Sequence, residues 1–269
     1  MDGLLDPVLV GVLGLVVGFA GGYAGIGGAP FLVACMVLFL GYDQHGAQGT
    51  VLAVMLGPMS LPGVIVMWDR IRLLKVEVIL GVLAYAMFSN LGARLAYSFD
   101  ASLLQLTFGF LLVVLGIKYI SGARTALEVE LVPDHVTMQG GYVSFSRLNI
   151  GCLAAGVGVV GGLFGIGAGV LMVPLSVVLF GLHKDDARAL SLAILLPPVS
   201  VGAIVEYDAH GGIDWSGALV CLIAYMTTNF SGAKLGRKHD SSRFFQVMGG
   251  ILLLLGGLDV AVSVASYLA

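Results

Sequence analysis

Charge is what this chain has least of. Only 11% of its 269 residues are Asp, Glu, Lys or Arg, against 58% that are hydrophobic. Soluble domains carry about 25% charged residues, so there is too little polar side chain to cover a water-soluble globule of this length. A basic excess is also missing. With a net charge of −3, no nucleic-acid partner is expected. Cysteine is scarce: Cys35, Cys152 and Cys221 stand in apolar stretches without a CxxC pair. They read as buried small hydrophobes rather than as a metal site or a disulfide framework. Walker A, HExxH and GxSxG motifs are absent, so ATP use and hydrolytic chemistry by this chain are not expected, and no cofactor is called for. The opening MDGLLDPVLVG lacks the basic stretch of a cleavable signal and reads as the start of a first membrane segment.

Glycine, by contrast, is abundant, at 40 residues. Small residues let membrane helices approach closely. The glycines also mark a repeat. Shifted by 140 positions, the sequence falls on itself without a gap, with 29 identities in the 106 positions from Gly11 to Gly116. GGYAGIGG at Gly21–Gly28 falls on GGLFGIGA at Gly161–Ala168. Leu56, Pro58 and Ser60 fall on Leu196, Pro198 and Ser200, and Ala84-Tyr85 falls on Ala224-Tyr225. Gly92-Ala93-Arg94-Leu95 falls on Gly232-Ala233-Lys234-Leu235. Composition alone accounts for Gly and Leu matches but not for these motifs, so the chain reads as a duplication. Residues 1–120 form the first transmembrane repeat, 121–146 a polar linker carrying Arg124, Glu128, Glu130, Asp134 and His135, and 147–269 the second repeat.

Each repeat offers five apolar stretches. The second of each, Pro30–Gly41 and Val170–Gly181, rises only about 18 Å as a helix, short of the roughly 20 residues that a span needs. These stretches are expected to re-enter. The third stretches are expected to kink at Pro58 and Pro198, and Asp100 and Asp240 to cap the fifth. Arg70, Arg72 and Lys75 follow the third stretch of the first repeat, where the second has Glu206, Asp208 and Asp214; Arg237, Lys238 and Arg243 precede the last stretch, where the first repeat has only Asp100. Positive-inside then places the repeats in opposite orientations, with the linker inside and both termini outside. The expected fold is an all-α integral membrane protein of two inverted-topology repeats of five helical segments each, with broken or re-entrant Gly-rich helices.

The glycine breaks are the candidate site. Gly25, Gly27, Gly28 and Ala29 in the first repeat, and Gly165, Gly167, Ala168 and Gly169 in the second, precede short helices whose free N–H groups and dipole suit an anion. Close helix packing through Gly21-x-x-x-Gly25 and Gly161-x-x-x-Gly165 is the other reading of the same residues. Ser60 and Ser200, beside the prolines, are candidates to line the path or to satisfy freed backbone groups. Asn90 and Asn229, with Ser89, either donate to a substrate or join helices. Arg94 and Lys234 match each other; each alone would snorkel to the interface, and both together suit an anion route. Glu77 and Glu206 are taken as the only carboxylates placed for proton coupling, and His45 and His183 as surface loop residues.

GYAGIGGAPFLV and GLFGIGAGVLMVP, each early in its repeat, resemble the paired Gly-rich signatures of the TauE/SafE sulfite exporter family. The resemblance runs over nearly the whole chain. It implies transport of small organosulfur or sulfur-oxide anions, such as sulfite or sulfoacetate, across the lipid bilayer of the cell (inner) membrane, commonly as export. Ala29-Pro30 and Ala168 depart from the family's glycine run and bear on the shape of the site. A secondary transporter working by alternating access leads. An anion channel of the same fold is the runner-up, and an intramembrane enzyme, lacking any catalytic set, comes last.

Overall fold

The computed structural model describes residues 5–24, 28–129, 147–180, 182, 184–236 and 241–268, and among them every regular element is a helix. The first half gives α1 (Leu5–Ala24), α2 (Ala29–Leu40), α3 (Gln44–Val54), α4 (Leu61–Val66), α5 (Trp68–Ile71), α6 (Lys75–Ala96) and α7 (Ala101–Val129). The second gives α8 (Arg147–Phe164), α9 (Gly169–Phe180), α10 (Lys184–Leu195), α11 (Val201–Ala209), α12 (Trp215–Gly236) and α13 (Ser241–Leu268). The offset of 140 seen in the sequence reappears in the helices: α2 and α9, and likewise α6 and α12, start and stop 140 residues apart. α7 runs on through the start of the expected linker to Val129; residues 130–146 lie outside the described residues.

Local chemistry sets the ends. Gly28 precedes α2 and Pro30 occupies its first turn, where a missing N–H costs nothing. The helix stops at Gly41, φ 73°, and the Tyr42 N–H closes the end on Met36 O at 3.2 Å. Asp100 caps α7 as expected, accepting from the Leu103 N–H at 3.2 Å. Asp240, its counterpart, lies outside the described residues.

The third apolar stretch of each half is broken outright rather than kinked. Between α3 and α4 the chain turns at Pro58, whose carbonyl accepts from the Leu61 N–H at 3.0 Å; between α10 and α11 Pro198 accepts from the Val201 N–H at 3.2 Å. Met59 N–H to Gly57 O and Val199 N–H to Pro197 O, both 2.7 Å, complete the same turn in each half. Proline has no N–H to carry the ladder through, and the turn satisfies the groups it frees.

Each first helix packs on the fourth helix of the other half, α1 along α12 and α8 along α6, while α7 packs along α13. Glycines make the close approach. A Cβ on Gly14, Gly18 or Gly22 would meet the carbonyls of Cys221, Tyr225 or Asn229, and one on Gly158 or Gly162 those of Tyr85 or Ser89. Outward faces are apolar, as at Val8, Val12, Val16 and Phe19 of α1 and Ile79, Leu83 and Met87 of α6. Faces this continuous belong in lipid rather than water. α6, Ala101–Ser121 of α7 and Gln246–Ala265 of α13 are long and apolar enough to cross a bilayer. The short pairs α2/α3 and α9/α10 supply the buried middle, with Leu32, Val33, Met36, Leu52, Met172, Leu190 and Ile194 inside.

Candidate functional site

The site is set where helices end and start: α2 opening after Gly28 and the break at 55–60 in the first half, and the breaks at 165–168 and 196–200 in the second. In the second half the break is made by glycine in the left-handed region, Gly165 at φ 67° and Gly167 at φ 68°, which other residues reach only with strain. Gly165 also lies against the Gln48 backbone, where a Cβ would come to 2.9 Å from Gln48 Cα. At Gly167 a Cβ would strike Met55 Cε. Ala168, fully buried, accepts the first turn of α9 from the Met172 N–H at 2.8 Å, just before Gly169 opens that helix.

A cavity of about 40 Å³ opens where these breaks meet, with room for roughly three water-sized groups. One wall is the end of α1 and the start of α2, at Gly21, Gly22, Gly28 and Ala29. Another is the α3–α4 break, with Met55, Met59 and Ser60. Ile166, Leu192 and Leu195 close it from the second half, and α12 contributes Tyr225, Asn229 and Ala233. Of the residues singled out by sequence, Gly28, Ala29, Ser60 and Asn229 are thus brought together. No lining residue is charged. The polar side chains are the Ser60 hydroxyl, buried and without a protein partner, the Tyr225 hydroxyl and the Asn229 amide; at the start of α2, Pro30 has no N–H and the Phe31 and Leu32 N–H groups bond to Gly28 O, both at 3.1 Å. Asn229 Nδ2 donates to Gly18 O at 3.2 Å, which holds α12 against α1. This set can bind a small anion by hydrogen bonds, without a counter-charge.

At the equivalent positions of the other half the matched polar groups are tied to backbone. Ser200 matches Ser60, but its hydroxyl donates to Leu52 O at 3.1 Å. Ser89 matches Asn229 and donates to Ala86 O at 3.0 Å, with Val199 O at 3.4 Å. Matched serines therefore differ between the halves: Ser60 is unpaired at the cavity, while Ser200 is bonded across to the first half.

The remaining candidates lie elsewhere. Asn90 donates to Gly202 O at 2.7 Å, joining α6 to α11. Arg94, 67% exposed, pairs with Glu206 at 3.5 Å, and Lys234 is also exposed; neither lines the cavity. Gly25 and Gly27 lie outside the described residues, as does His183. His45, expected in a surface loop, is in α3 and stacks on Tyr97 at 4.7 Å, with Tyr97 stacked in turn on His210 at 3.9 Å.

Three residues escaped the sequence reading. Tyr225 lines the cavity, and the Ala-Tyr match at an offset of 140 was its available signal. Arg188 is a largely buried cation in α10, 3.9 Å from Asp185, at the position where the first half has Gln48. Asp259 is a fully buried carboxylate in α13, so Glu77 and Glu206 are not the only candidates for a proton.

The family profile described as sulfite exporter TauE/SafE matches residues 3–119 and 53–258. The chain is 25% identical to the probable membrane transporter protein YunE of Bacillus subtilis (strain 168), over 93% of this chain and 95% of that protein. It is 27% identical to the probable membrane transporter protein YdhB of the same organism, over 88% and 90%. To the probable membrane transporter protein MJ0441 of Methanocaldococcus jannaschii it is 25% identical over 94% of each. These names are those of transporters rather than enzymes. No solved structure matches.

Proposed function

The chain belongs to the sulfite exporter TauE/SafE family, and from that premise we propose that it is a multi-pass secondary transporter of the cell (inner) membrane, exporting a small sulfur-containing anion such as sulfite or sulfoacetate. The observation that carries the reading is the cavity itself, lined by uncharged polar side chains, with Ser60 unpaired there while its match 140 residues away is tied to Leu52 O. A hydrogen bond to a charged group contributes about 1.5–3 kcal/mol, so a few neutral donors hold a small anion while leaving it free to depart. A fixed cation in the cavity would bind more tightly and release more slowly.

Opposite orientation of the repeats makes the Ser60 side and the Ser200 side face opposite membrane surfaces. The α1–α2 and α8–α9 hairpins then re-enter from opposite faces. Alternating access becomes an exchange of roles between related residues. In the state opposite to this one, Ser60 donates to Leu192 O, as Ser200 now donates to Leu52 O, and the opening forms around Ser200. An open channel needs no such seal.

Thermal stability of purified protein tests the binding step. Sulfite, sulfoacetate, taurine, sulfate and chloride are compared at constant ionic strength, so that screening does not pass for binding. A rise in Tm confined to sulfite or a sulfonate supports the reading. Equal shifts with every anion, or none with any, would count against it.

A further inference from the structure

Asp259 is the one fully buried carboxylate among the described residues. Its Oδ1 accepts from Gln105 Nε2 of α7 at 3.3 Å, and its Oδ2 has no partner. No described Lys, Arg or His pairs with it. A carboxylate in an apolar interior without a cation is costly to keep ionised, and the unpartnered Oδ2 is the atom at which Asp259 can take up a proton.

A polar seam leads from it to the membrane surface. On α13, Asp259, Ser263 and Tyr267 follow one another at four-residue spacing, along one face of the helix. Each meets α7: Asp259 meets Gln105, Ser263 donates to Ser102 O at 2.8 Å, and the Tyr267 hydroxyl donates to Asp100 Oδ2 at 3.2 Å. Ser263 is fully buried; Tyr267 and Asp100 are exposed. Eight residues of helix place Asp259 about 12 Å inward from Tyr267.

The inner end of the seam lies on the helix that packs against α2. Cys35 of α2 lies within electrostatic range of Asp259. Six residues along the same short helix, Ala29 lines the cavity. Tyr119 is the counterpart of Asp259 at the offset of 140, and its hydroxyl reaches Val170 O in the first turn of α9 at 3.5 Å. The last helix of each half thus carries a polar side chain at this position, Tyr119 in α7 and Asp259 in α13, and only the second half has a carboxyl there. The titratable groups facing Asp259 are Cys35 from α2 and, along the seam, Asp100 and Tyr267; α1, also in contact with α13, presents Tyr23 as its one titratable side chain with described surroundings.

We propose that Asp259 is the proton-carrying group of this transporter: Oδ2 takes a proton through the Asp100–Tyr267–Ser263 seam and releases it on the other side of the membrane as α2 moves, once per anion carried. This inference rests on the transport reading. A purely structural role, with Asp259 and Gln105 joining α7 to α13, is the rival account. Asp259→Asn separates them, because the amide keeps an oxygen for Gln105 and cannot titrate.

The test uses the full chain in proteoliposomes, with labelled sulfoacetate, whose sulfonate does not titrate, and a trapped pH dye. Wild type is expected to accumulate label under a pH difference, up to about tenfold per unit for each coupled proton, with matching dye response. Asp259→Asn is expected to exchange label at near wild-type rates with neither accumulation nor proton movement, and Asp259→Glu to restore both in part. Proton movement retained in Asp259→Asn overturns the proposal, as does a folded Asp259→Asn protein that has lost exchange as well. Infrared titration of the purified protein needs no anion. A carboxyl band that changes with pH in wild type and is missing from Asp259→Asn is expected, and its absence from wild type overturns the proposal. Wild type that exchanges neither sulfoacetate nor sulfite contradicts the transport reading itself and removes this inference with it.

Discussion

Ser60 and Ser200 stand 140 residues apart at matching positions, and their hydroxyls do different things. Ser60 faces the cavity without a protein partner, whereas Ser200 is tied to Leu52 O. Ser60→Ala should therefore weaken anion binding about ten- to a hundredfold, the loss of one hydrogen bond to a charge, with little change in stability. Ser200→Ala should leave binding nearly unchanged and shift the balance between the two access states. Titrating the anion-dependent rise in Tm on both variants checks the difference; equal effects would remove the distinction between the two serines. The serines themselves were legible from the Pro-x-Ser match. Which of them is free was not, because Ser200 finds its partner 148 residues away, through a contact with no local signature. Arg94 and Lys234 show the opposite failing. A preserved cation attracts a functional reading, yet Arg94 is mostly exposed and paired with Glu206.

At the scale of elements, α12 begins at a cap that the sequence does not announce. Asp214 Oδ1 accepts from the Gly217 N–H at 2.9 Å and the Ser216 hydroxyl at 2.7 Å, and Oδ2 accepts from the Tyr42 hydroxyl at 2.6 Å. Burial opposes ionisation, but these donors together hold the carboxyl below its ordinary value of 3.8. A depressed folded pKa stabilises the fold above the unfolded value, and that contribution is lost as pH falls through the folded one. Asp214→Asn, which keeps a capping oxygen but removes the charge, should accordingly lower stability by about 0.3–1 kcal/mol at neutral pH, the usual worth of a negative charge at a helix start. The deficit should shrink toward zero below pH 3.8. Melting curves of both proteins across pH measure this, and a deficit independent of pH would mean the charge is not what caps the helix. The seams between elements give a second expectation. Gly162→Val forces a side chain onto Ser89 O and should cost about 1–3 kcal/mol by overpacking, whereas Gly151→Val, where nothing lies within 4 Å, should be tolerated. Sequence supplied the glycines and even the packing motif but not its register. Gly21 and Gly25 looked like the contact pair, while Gly14, Gly18 and Gly22 face α12. Only the partner helix decides which glycines meet it.

At the scale of the whole molecule, composition and the 140-residue offset were enough to give an all-helical membrane chain with a repeated order of elements, since both are written along the sequence. The crossed packing of α1 on α12 and α8 on α6 was not written there; it depends on how the halves interlock. Neither was the difference between Ser60 and Ser200, because a repeat predicts likeness and the proposed function rests on a difference. The carrier account turns on counterflow: proteoliposomes loaded with unlabelled sulfite or sulfoacetate, a trace of label outside, wild type beside Gly167→Leu. Transient accumulation of label by wild type, saturable and reduced at least tenfold in a folded Gly167→Leu protein whose side chain would meet Met55 at the cavity wall, is the result a carrier at this site requires. Label that only equilibrates, as through a channel, or that accumulates equally in Gly167→Leu, would contradict it.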